Sequence, residues 1–316
     1  MEQDRFSNMR LFCGSAHPEL GQAIADQLGI QLGEIHLSKF SCGENYARIE
    51  ENIRGLEAYI VQTIGEHPND DYMELFLMMD ALRRSSASKI HVIIPYFGYA
   101  RQDKKSAPRE PISSRLVADL MSAVGFDRLI TMDLHADQIQ GFFSQPVDHL
   151  TALPLFAEYF GKLEIPDLCV VAPDTGRAKF AKKLGDRLGA KLAIMHKTRP
   201  DHNVAEITNV VGKVRGKNLL IVDDMVDTAG SVTSGLSALR EFGCKDIYLA
   251  TTHPVFSGPA VERLALAGIK EVVVTDTLPL PPSKHFEGLK VLSTAPILAE
   301  AIKRNYEKKS ITSLFN

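Results

Sequence analysis

The segment LLIVDDMVDTAGS at residues 219–231 places acidic side chains directly after an apolar strand. Asp223, Asp224 and Asp227 fill three of five positions, and ionised carboxylates at a buried strand end are costly unless something compensates them. They can accept hydrogen bonds from hydroxyls or hold a divalent cation. The small residues that follow let backbone amides approach an anion at the start of a helix. The segment therefore predicts a site for a phosphorylated sugar, whereas a helix cap would explain a single aspartate.

Three further polar clusters follow predicted strands. A basic run alone is usually a solvated surface, and a lone histidine is usually a core residue or a helix cap. Position favours a ligand site for the first cluster, because ligands of open α/β sheets bind beyond the carboxyl ends of the strands. Residues two apart share one face wherever the strand persists. The clusters are Arg101, Lys104 and Lys105 in YARQDKK, Asp133 and His135 in MDLHADQ, and Lys197 and Arg199 in HKTRP.

The elements that must position these residues follow an alternating pattern. Short apolar runs rich in Val and Ile alternate with longer segments of helical period, which is typical of a parallel sheet covered by helices. The sequence therefore predicts an α/β fold. The predicted strands are AYIVQT, KIHVIIP, RLITMDL, LCVVAP, KLAIMH, NLLIVDD, DIYLATTH and EVVVTDT.

Two segments show helical signals most clearly. HPELGQAIADQLG has Pro18 suited to the first turn and an apolar stripe of Leu20, Ile24 and Leu28. SSRLVADLMSAVG has a capping residue at Ser113 or Ser114, an end at Gly125, and a stripe formed by Leu116, Val117, Leu120, Met121 and Val124.

The chain also shows a weak internal repeat. HVIIPYFGYAR can be laid on CVVAPDTGRAK, so that Pro95 meets Pro173, and LITMD can be laid on LLIVD, so that Asp133 meets Asp223. The repeat predicts two similar domains, 1–150 and 151–316, with the C-terminal tail packing back on the first domain.

Composition limits the classes of protein and partner. The chain has 316 residues, 45% of them hydrophobic, and a formal charge of -3, which gives no reason to expect nucleic acid or a membrane as partner. Its four cysteines lack a C-x-x-C pair, and neither a signal peptide nor an apolar run of about 20 residues is present. We expect a soluble, cytoplasmic protein.

Several motifs together resemble one enzyme family. VDDMVDTAGS resembles the ribose-phosphate-binding loop of type I phosphoribosyltransferases. FSCGE, PYFGYARQDKK, MDLHADQIQGFF, APDTG, HKTRP and THPVFSGPA resemble, in order, segments of class I ribose-phosphate pyrophosphokinases, also called phosphoribosyl pyrophosphate synthetases. The resemblance implies two phosphoribosyltransferase-like domains, each a largely parallel sheet flanked by helices. It also implies Mg²⁺-dependent transfer of the β,γ-diphosphoryl group of ATP to ribose 5-phosphate, with release of AMP.

The resemblance implies roles for individual residues. The catalytic cations are Lys197 and Arg199. The ATP-binding residues are Phe40, Cys42, Gly43, Glu44, Arg101, Gln102 and Asp103. The ribose 5-phosphate-binding residues are Arg199, Asp223, Asp224, Asp227, Thr228, Ala229, Gly230 and Ser231. The metal-linked residues are Asp174, Asp133 and His135, and Asp174 ranks above His135 because Mg²⁺ prefers oxygen ligands. A flexible loop carries Lys104, Lys105 and Arg109, and a site for phosphate and ADP effectors carries Arg54, Arg109, Ser310 and Thr312.

The sequence departs from the family's pattern at a few positions. Cys42 stands where the family usually has Asn or Asp, and Asn52 replaces a common Ser. The family often has two glycines and a later arginine after the aspartate of APDTG, where this chain has Gly176, Arg177 and Phe180. Arg177 can supply the charge from another position.

Two alternatives share the fold. A phosphoribosyltransferase that consumes phosphoribosyl pyrophosphate would use VDDMVDTAGS but would not need FSCGE and YARQDKK. A non-catalytic regulatory relative would not need to retain Lys197, Arg199, His135 and Asp174. No G-x-x-x-x-G-K-[ST] segment is present, so ATP is not held by a Walker loop. The resemblance also implies a homo-oligomer, commonly a hexamer, in which the FSCGE loop reaches a neighbouring subunit's nucleotide.

Overall fold

A computed structural model describes residues 5–201 and 204–314, and the side chains of residues 196–209 and of Ser313 lie outside its description. Strands and helices alternate along the chain. In chain order they are β1 (Met9–Cys13), α1 (Pro18–Leu28), β2 (Ile35–Lys39), β3 (Asn45–Ile49), β4 (Glu57–Val61), α2 (Pro68–Arg84), β5 (Lys89–Ile94), α3 (Ser113–Val124), β6 (Arg128–Met132), β7 (Val147–Leu150), α4 (Leu153–Lys162), β8 (Leu168–Ala172), α5 (Ala178–Arg187), β9 (Lys191–Asp201), β10 (Val204–Val211), β11 (Asn218–Val226), α6 (Gly230–Glu241), β12 (Ile247–Pro254), α7 (Ala260–Leu266), β13 (Glu271–Thr275), β14 (Leu289–Leu292) and α8 (Ala295–Tyr306).

The α/β fold class is confirmed, and all eight predicted strands are present, as β4, β5, β6, β8, β9, β11, β12 and β13. The sequence analysis missed the other strands, β1, β2, β3, β7, β10 and β14. β2 and β3 pair with each other alone as an antiparallel hairpin whose side chains are all partly or fully exposed, so they lack a continuous apolar run.

One compact unit contains the residues up to Thr151, Thr277–Pro279 and the segment from Ser293 onwards. Its sheet has the order β1-β4-β5-β6-β7, and every neighbouring pair is parallel. Parallel strands that are covered on both faces have nearly continuous apolar sequences. β5 and β6 fit this pattern, because they are buried almost throughout. The C-terminal helix α8 belongs to this unit, where the Tyr59 hydroxyl donates to Asn305 Oδ1 at 2.7 Å.

A second compact unit contains Ala152–Asp276 and Leu280–Leu292. Its sheet has the order β10-β9-β8-β11-β12-β13-β14, with β10 antiparallel to β9 and the other pairs parallel. The central strands β11 and β12 are almost wholly buried. The division of the chain into two similar domains, 1–150 and 151–316, stays a prediction.

The two helices singled out from the sequence form, but the details of one differ. α1 begins at Pro18, and Leu20, Ile24 and Leu28 are buried as predicted. The serine cap of α3 is wrong, because the helix begins at Ser113 and both serine hydroxyls instead donate to Gln102. The apolar stripe of α3 is only half buried, since Leu116 and Leu120 are exposed while Val117 and Met121 are buried.

Within residues 5–201 and 204–314, no helix is both long and apolar enough to cross a membrane.

A buried polar network joins the carboxyl ends of β1 and β4 to α2. Glu74 accepts hydrogen bonds from the Ser15 N–H at 2.7 Å, the Ser15 hydroxyl at 2.8 Å and Gln62 Nε2 at 2.9 Å. Asp71 Oδ2 accepts the Gly65 N–H at 2.6 Å. Burial raises the pKa of Asp71 to about 6, opposed by the Gly65 hydrogen bond and reinforced by the charge of Glu74.

The raised pKa makes Asp71 a pH-dependent cost to the fold. The native state holds its proton more tightly than the unfolded chain, so this contribution lowers stability as pH rises from about 4 to about 6. Asp71→Asn keeps an acceptor for Gly65, and we expect it to raise the free energy of unfolding at pH 8 by roughly 1–3 kcal/mol with little change at pH 4. Urea unfolding at both pH values measures the difference.

Asp80→Asn in the same helix is the matched control, because Asp80 pairs with Arg84 on the surface. Its effect should stay within about 0.5 kcal/mol. A stabilisation by Asp71→Asn that is equal at pH 4 and pH 8 would contradict the assignment.

Candidate functional site

The acidic segment of the second unit lies where it was expected, at the carboxyl end of β11. Asp224 is buried with 4% exposure, and Asp223 is half-buried. Asp223 Oδ1 accepts the Asp224 N–H at 2.9 Å. Burial and the neighbouring Asp224 raise the pKa of Asp223, and Arg177 opposes that rise. The two carboxylates therefore form one coupled acceptor pair.

A tight loop links β11 to α6. Ala229 adopts the left-handed conformation, with φ 59°, which a residue with a side chain adopts at a cost of about 1 kcal/mol. The Thr233 hydroxyl donates to the Ala229 carbonyl at 3.0 Å, and Arg263 Nη1 of α7 donates to the Thr228 carbonyl at 3.0 Å. Alanine has no side-chain acceptor, so the N-cap residue itself leaves the first N–H groups of α6 available to an anion.

The sequence indicates Arg177 only as a source of positive charge, and it does not predict that Arg177 pairs with Asp224 and Asp223. Its guanidinium Nη2 lies 2.7 Å from Asp224 Oδ2, and its Nε lies 3.7 Å from Asp223 Oδ1. The contact arises because Arg177 ends the short connection between β8, the neighbour of β11 in the sheet, and α5. Asp174 is exposed and accepts the Arg177 backbone N–H at 3.1 Å. No sequence signal distinguishes this arginine from a solvated one.

In the first unit, the segment after β5 is anchored to the start of α3. The Gln102 carbonyl accepts the N–H of Ser114 at 3.2 Å and its hydroxyl at 2.9 Å. Asp103, expected to bind ATP, is buried with 9% exposure, and its Oδ2 accepts Gln138 Nε2 at 2.7 Å. Arg101 is exposed. The structure therefore gives Asp103 a role in holding this segment together.

Asp133 and His135 do not lie on one extended strand. β6 ends at Met132, and Asp133 has the left-handed φ of 33°. Asp133 is buried, whereas His135 is exposed. The premise that the strand persists through residue 135 is therefore wrong, because a turn follows β6 in which His149 Nε2 accepts the Leu134 N–H at 2.8 Å.

The FSCGE segment is the turn of the β2–β3 hairpin. The Phe40 N–H donates to the Glu44 carbonyl at 2.9 Å, and Gly43 has the φ of 94° that a glycine adopts readily. Phe40 is 54% exposed and contacts Tyr46 edge to face at 5.6 Å. Cys42 and Glu44 are exposed as well. An exposed apolar ring at a hairpin tip can contact another molecule.

Two other predicted groups lie on the surface of the first unit. Lys104, Lys105 and Arg109 are exposed in the turn between β5 and α3, and their role as a closing loop stays a prediction. Arg54 is exposed before β4.

Ser310 and Thr312 line a cavity of about 670 Å³ with Lys308, Lys309 and Arg128. Two further lining residues are buried and have a polar atom without a hydrogen-bond partner in the described structure, His91 at Nδ1 and Asp148 at Oδ2. The lining is mixed in charge, because Glu57, Asp127 and Asp148 line the cavity as well as the cations, and its wall has unsatisfied polar groups. Arg54 is not among the residues that line it.

Lys197 and Arg199 belong to the backbone of β9, but their side chains lie outside the described residues. β9 pairs in parallel with β8, with Ala172 opposite Ile194. Lys197 and Arg199 therefore come after the paired part of β9, and Asp174 likewise comes after the paired part of β8.

A metal ion would find few protein ligands among the described side chains. Among the side chains that the structure describes, no group of three or more His, Cys, Asp and Glu residues is arranged to hold one. Mg²⁺ commonly takes one or two carboxylates, with water and substrate phosphates completing its coordination. Single carboxylates such as the exposed Asp174 fit an ion held in that manner.

Comparisons with known proteins cover nearly the whole chain. The family model for the N-terminal domain of ribose phosphate pyrophosphokinase matches residues 9–125, and the phosphoribosyl synthetase-associated domain matches residues 199–316. The chain is 47% identical to a ribose-phosphate pyrophosphokinase of Fusobacterium nucleatum, covering 98% of this chain and 99% of that one. It is 48% identical to the Bacillus subtilis relative of the same name, covering 98% of each.

A solved structure is similar to the same extent. The crystal structure of phosphoribosylpyrophosphate synthetase from Mycobacterium smegmatis matches with a TM-score of 0.90 and 45% identity. The match covers 96% of this chain and 100% of that chain.

The buried position of Asp103 leads to a test of its role. Asp103→Ala removes the acceptor of Gln138, and we expect it to lower the free energy of unfolding by about 1–2 kcal/mol. The exposed neighbour Lys104 provides the control, because Lys104→Ala should change stability by less than about 0.5 kcal/mol. Unchanged urea stability together with weaker nucleotide binding by Asp103→Ala would show that the residue contacts the nucleotide directly.

Proposed function

The chain belongs to the ribose-phosphate pyrophosphokinase family, and we propose that it transfers the β,γ-diphosphoryl group of ATP to the anomeric hydroxyl of ribose 5-phosphate. The products are 5-phosphoribosyl 1-diphosphate, a precursor for nucleotide biosynthesis, and AMP. The observation that carries the proposal is the pairing of two carboxylates with an anion-binding helix start at the end of β11, within a chain that matches this family over its full length.

The second unit supplies the ribose 5-phosphate site. Asp223 and Asp224 accept hydrogen bonds from the ribose hydroxyls, because carboxylates are strong acceptors with several lone-pair positions. The N–H groups of the loop 227–231 and of the first turn of α6 bind the 5-phosphate. Arg263 Nη1 donates to the Thr228 carbonyl and so supports this orientation of the loop.

The nucleotide is assigned to residues of the hairpin tip and of the segment after β5. Phe40, Cys42, Gly43 and Glu44 present an exposed ring and polar groups, and Arg101 and Gln102 follow the strand end in the first unit. Asp103 acts here through Gln138, by holding the segment that carries Arg101. Cys42 offers a weaker hydrogen bond than an amide or a carboxylate would.

Asp174, with Asp133 and His135 as further candidates, would hold magnesium together with the nucleotide phosphates. A bound magnesium ion neutralises charge on the phosphate oxygens and orients them. Lys197 and Arg199 are proposed to meet the charge that develops on the transferring group, and the loop with Lys104, Lys105 and Arg109 to exclude water from it.

Regulation, assembly and location belong to the same proposal. Arg128, Lys308 and Lys309 of the cavity with Ser310 and Thr312 suit inorganic phosphate or the diphosphate of ADP as an effector. Arg54 and Arg109, which the family resemblance adds to the effector site, do not line this cavity. The exposed Phe40 at the hairpin tip suits contact with a neighbouring subunit in a homohexamer, a size that light scattering measures. The proposed location is the cytoplasm.

One assay separates the candidate activities. ATP, Mg²⁺ and ribose 5-phosphate are incubated with the protein, and AMP release is measured with and without phosphate. The pyrophosphokinase releases AMP, and phosphate changes the rate if the effector site operates. A phosphoribosyltransferase instead consumes phosphoribosyl pyrophosphate and a base, and a regulatory relative does neither.

The assignment of the acid pair predicts a selective loss in affinity. Asp223→Asn removes a charged acceptor, so the KM for ribose 5-phosphate should rise by roughly 10-fold or more while the KM for ATP changes less than about 2-fold. Steady-state kinetics with each substrate varied in turn measures both. Asp246→Asn, at an exposed acid that pairs with Lys270, is the control. Equal weakening of both substrates would count against the assignment.

The assignment of Lys197 predicts a loss in turnover. Its charge should stabilise the transition state more than the bound substrates, so Lys197→Ala should lower kcat on the order of 10²-fold with smaller changes in KM. Lys191→Ala, at the exposed start of the same strand, should retain activity. A folded Lys197→Ala enzyme with nearly wild-type turnover would remove this residue from the catalytic group.

A further inference from the structure

Arg177 contacts both acids of the proposed ribose 5-phosphate site. Its side chain is 16% exposed and lies against the side chain of Asp224, which is 3% exposed. Nη2 is 2.7 Å from Asp224 Oδ2, while Nε is 3.7 Å from Asp223 Oδ1. One guanidinium therefore contacts both acids through different nitrogens.

The backbone fixes this arginine from the other side. Residue 177 precedes the first residue of α5, and its N–H donates to Asp174 Oδ1 at 3.1 Å. Its backbone is in the ordinary right-handed region, with φ −91°. The rigid planar guanidinium is thereby held at the carboxyl edge of β8 and directed at β11, the adjacent strand.

A single positive charge between two adjacent carboxylates has a chemical consequence. Without it, two neighbouring acids in a buried position would share a proton or attract a divalent cation. With the positive charge of Arg177 beside them, Asp223 and Asp224 keep acceptor oxygens while the net negative charge of the site is lower. The Asp224 N–H and Arg177 Nε both approach Asp223 at its Oδ1. The arrangement favours neutral hydroxyl donors over a metal ion.

We propose that Arg177 is a positioning residue that makes Asp223 and Asp224 selective for the ribose hydroxyls, and thus selects ribose 5-phosphate over its 2-deoxy analogue. This inference rests on the proposed function of the acid pair. A site built to bind a hydroxyl discriminates strongly against the analogue that lacks it, because its polar groups are then left unpaired. Arg177 contributes to that discrimination through the acids, without contacting the reacting atoms.

The test compares direct binding of ribose 5-phosphate and 2-deoxyribose 5-phosphate by isothermal titration, without ATP. Arg177→Met keeps length and removes charge. It should weaken ribose 5-phosphate by roughly 10-fold or more and weaken the 2-deoxy analogue by less than about 3-fold, so the preference between them falls. Arg177→Lys should recover part of the preference. Lys179→Met, an exposed position on the same helix, should leave both affinities unchanged.

Kinetics and a fold control complete the test. At saturating ribose 5-phosphate, Arg177→Met should retain kcat within about 3-fold, with an unchanged KM for ATP. Circular dichroism and thermal unfolding establish that each variant is folded. If Arg177→Met does not fold, the test uses Arg177→Lys alone. A reduced preference of Arg177→Lys for ribose 5-phosphate over the 2-deoxy analogue then supports the inference, and an unchanged preference overturns it. Equal losses for both sugars, unchanged binding, or a fall in kcat alone also overturns it. Absence of AMP release by the wild-type enzyme refutes the proposed function instead, and is distinguishable because sugar binding is measured separately.

Discussion

Carboxylates at the end of a buried strand must be compensated, and this requirement organises the second unit around Asp223 and Asp224. β11 is buried almost to its end, so the acids cannot rely on bulk water as surface acids do. Arg177 provides the compensation from the start of α5, and the Asp224 N–H provides more. Removing one partner of such a buried pair typically costs about 3–5 kcal/mol, whereas an exposed pair contributes little. The position of α5 relative to β11 is therefore tied to the charge of the acids.

The same requirement identifies the polar groups that hold the first unit together. Glu74 is satisfied by Ser15 and Gln62, and Asp103 by Gln138, so these buried carboxylates hold loops at strand ends. Exposed residues of the same segments, such as Arg101, are left at the surface where a nucleotide can reach them. Residue type and spacing alone did not separate the two classes. Burial and hydrogen-bond partners do, because they show which charges are already compensated.

The parts of the fold that depend on continuous apolar runs could be predicted from the sequence, and so could the segments that form the candidate site. The eight predicted strands gave strong local signals, whereas the half-exposed β2–β3 hairpin did not. The serine cap of α3 failed because Gln102, eleven residues earlier than Ser113, competes for the hydroxyls. The pairing of Arg177 with Asp224 also depends on tertiary contact, since the residues lie on different strand ends that only the sheet order brings together. Local sequence carries no trace of that order.

Strain and charge compensation act together at the start of α6. Ala229 is held in a left-handed conformation, which persists because Thr233 bonds its carbonyl and Arg263 bonds the carbonyl before it. With these carbonyls held, the adjacent N–H groups keep one orientation, so an arriving phosphate would not have to reorganise them. Arg177 provides the corresponding order for the acids. In a reaction that leaves the protein little covalent work, such fixed dipoles and charges are the main means by which a chain can lower a barrier, and the acid pair, Arg177 and Ala229 supply them together around the end of β11.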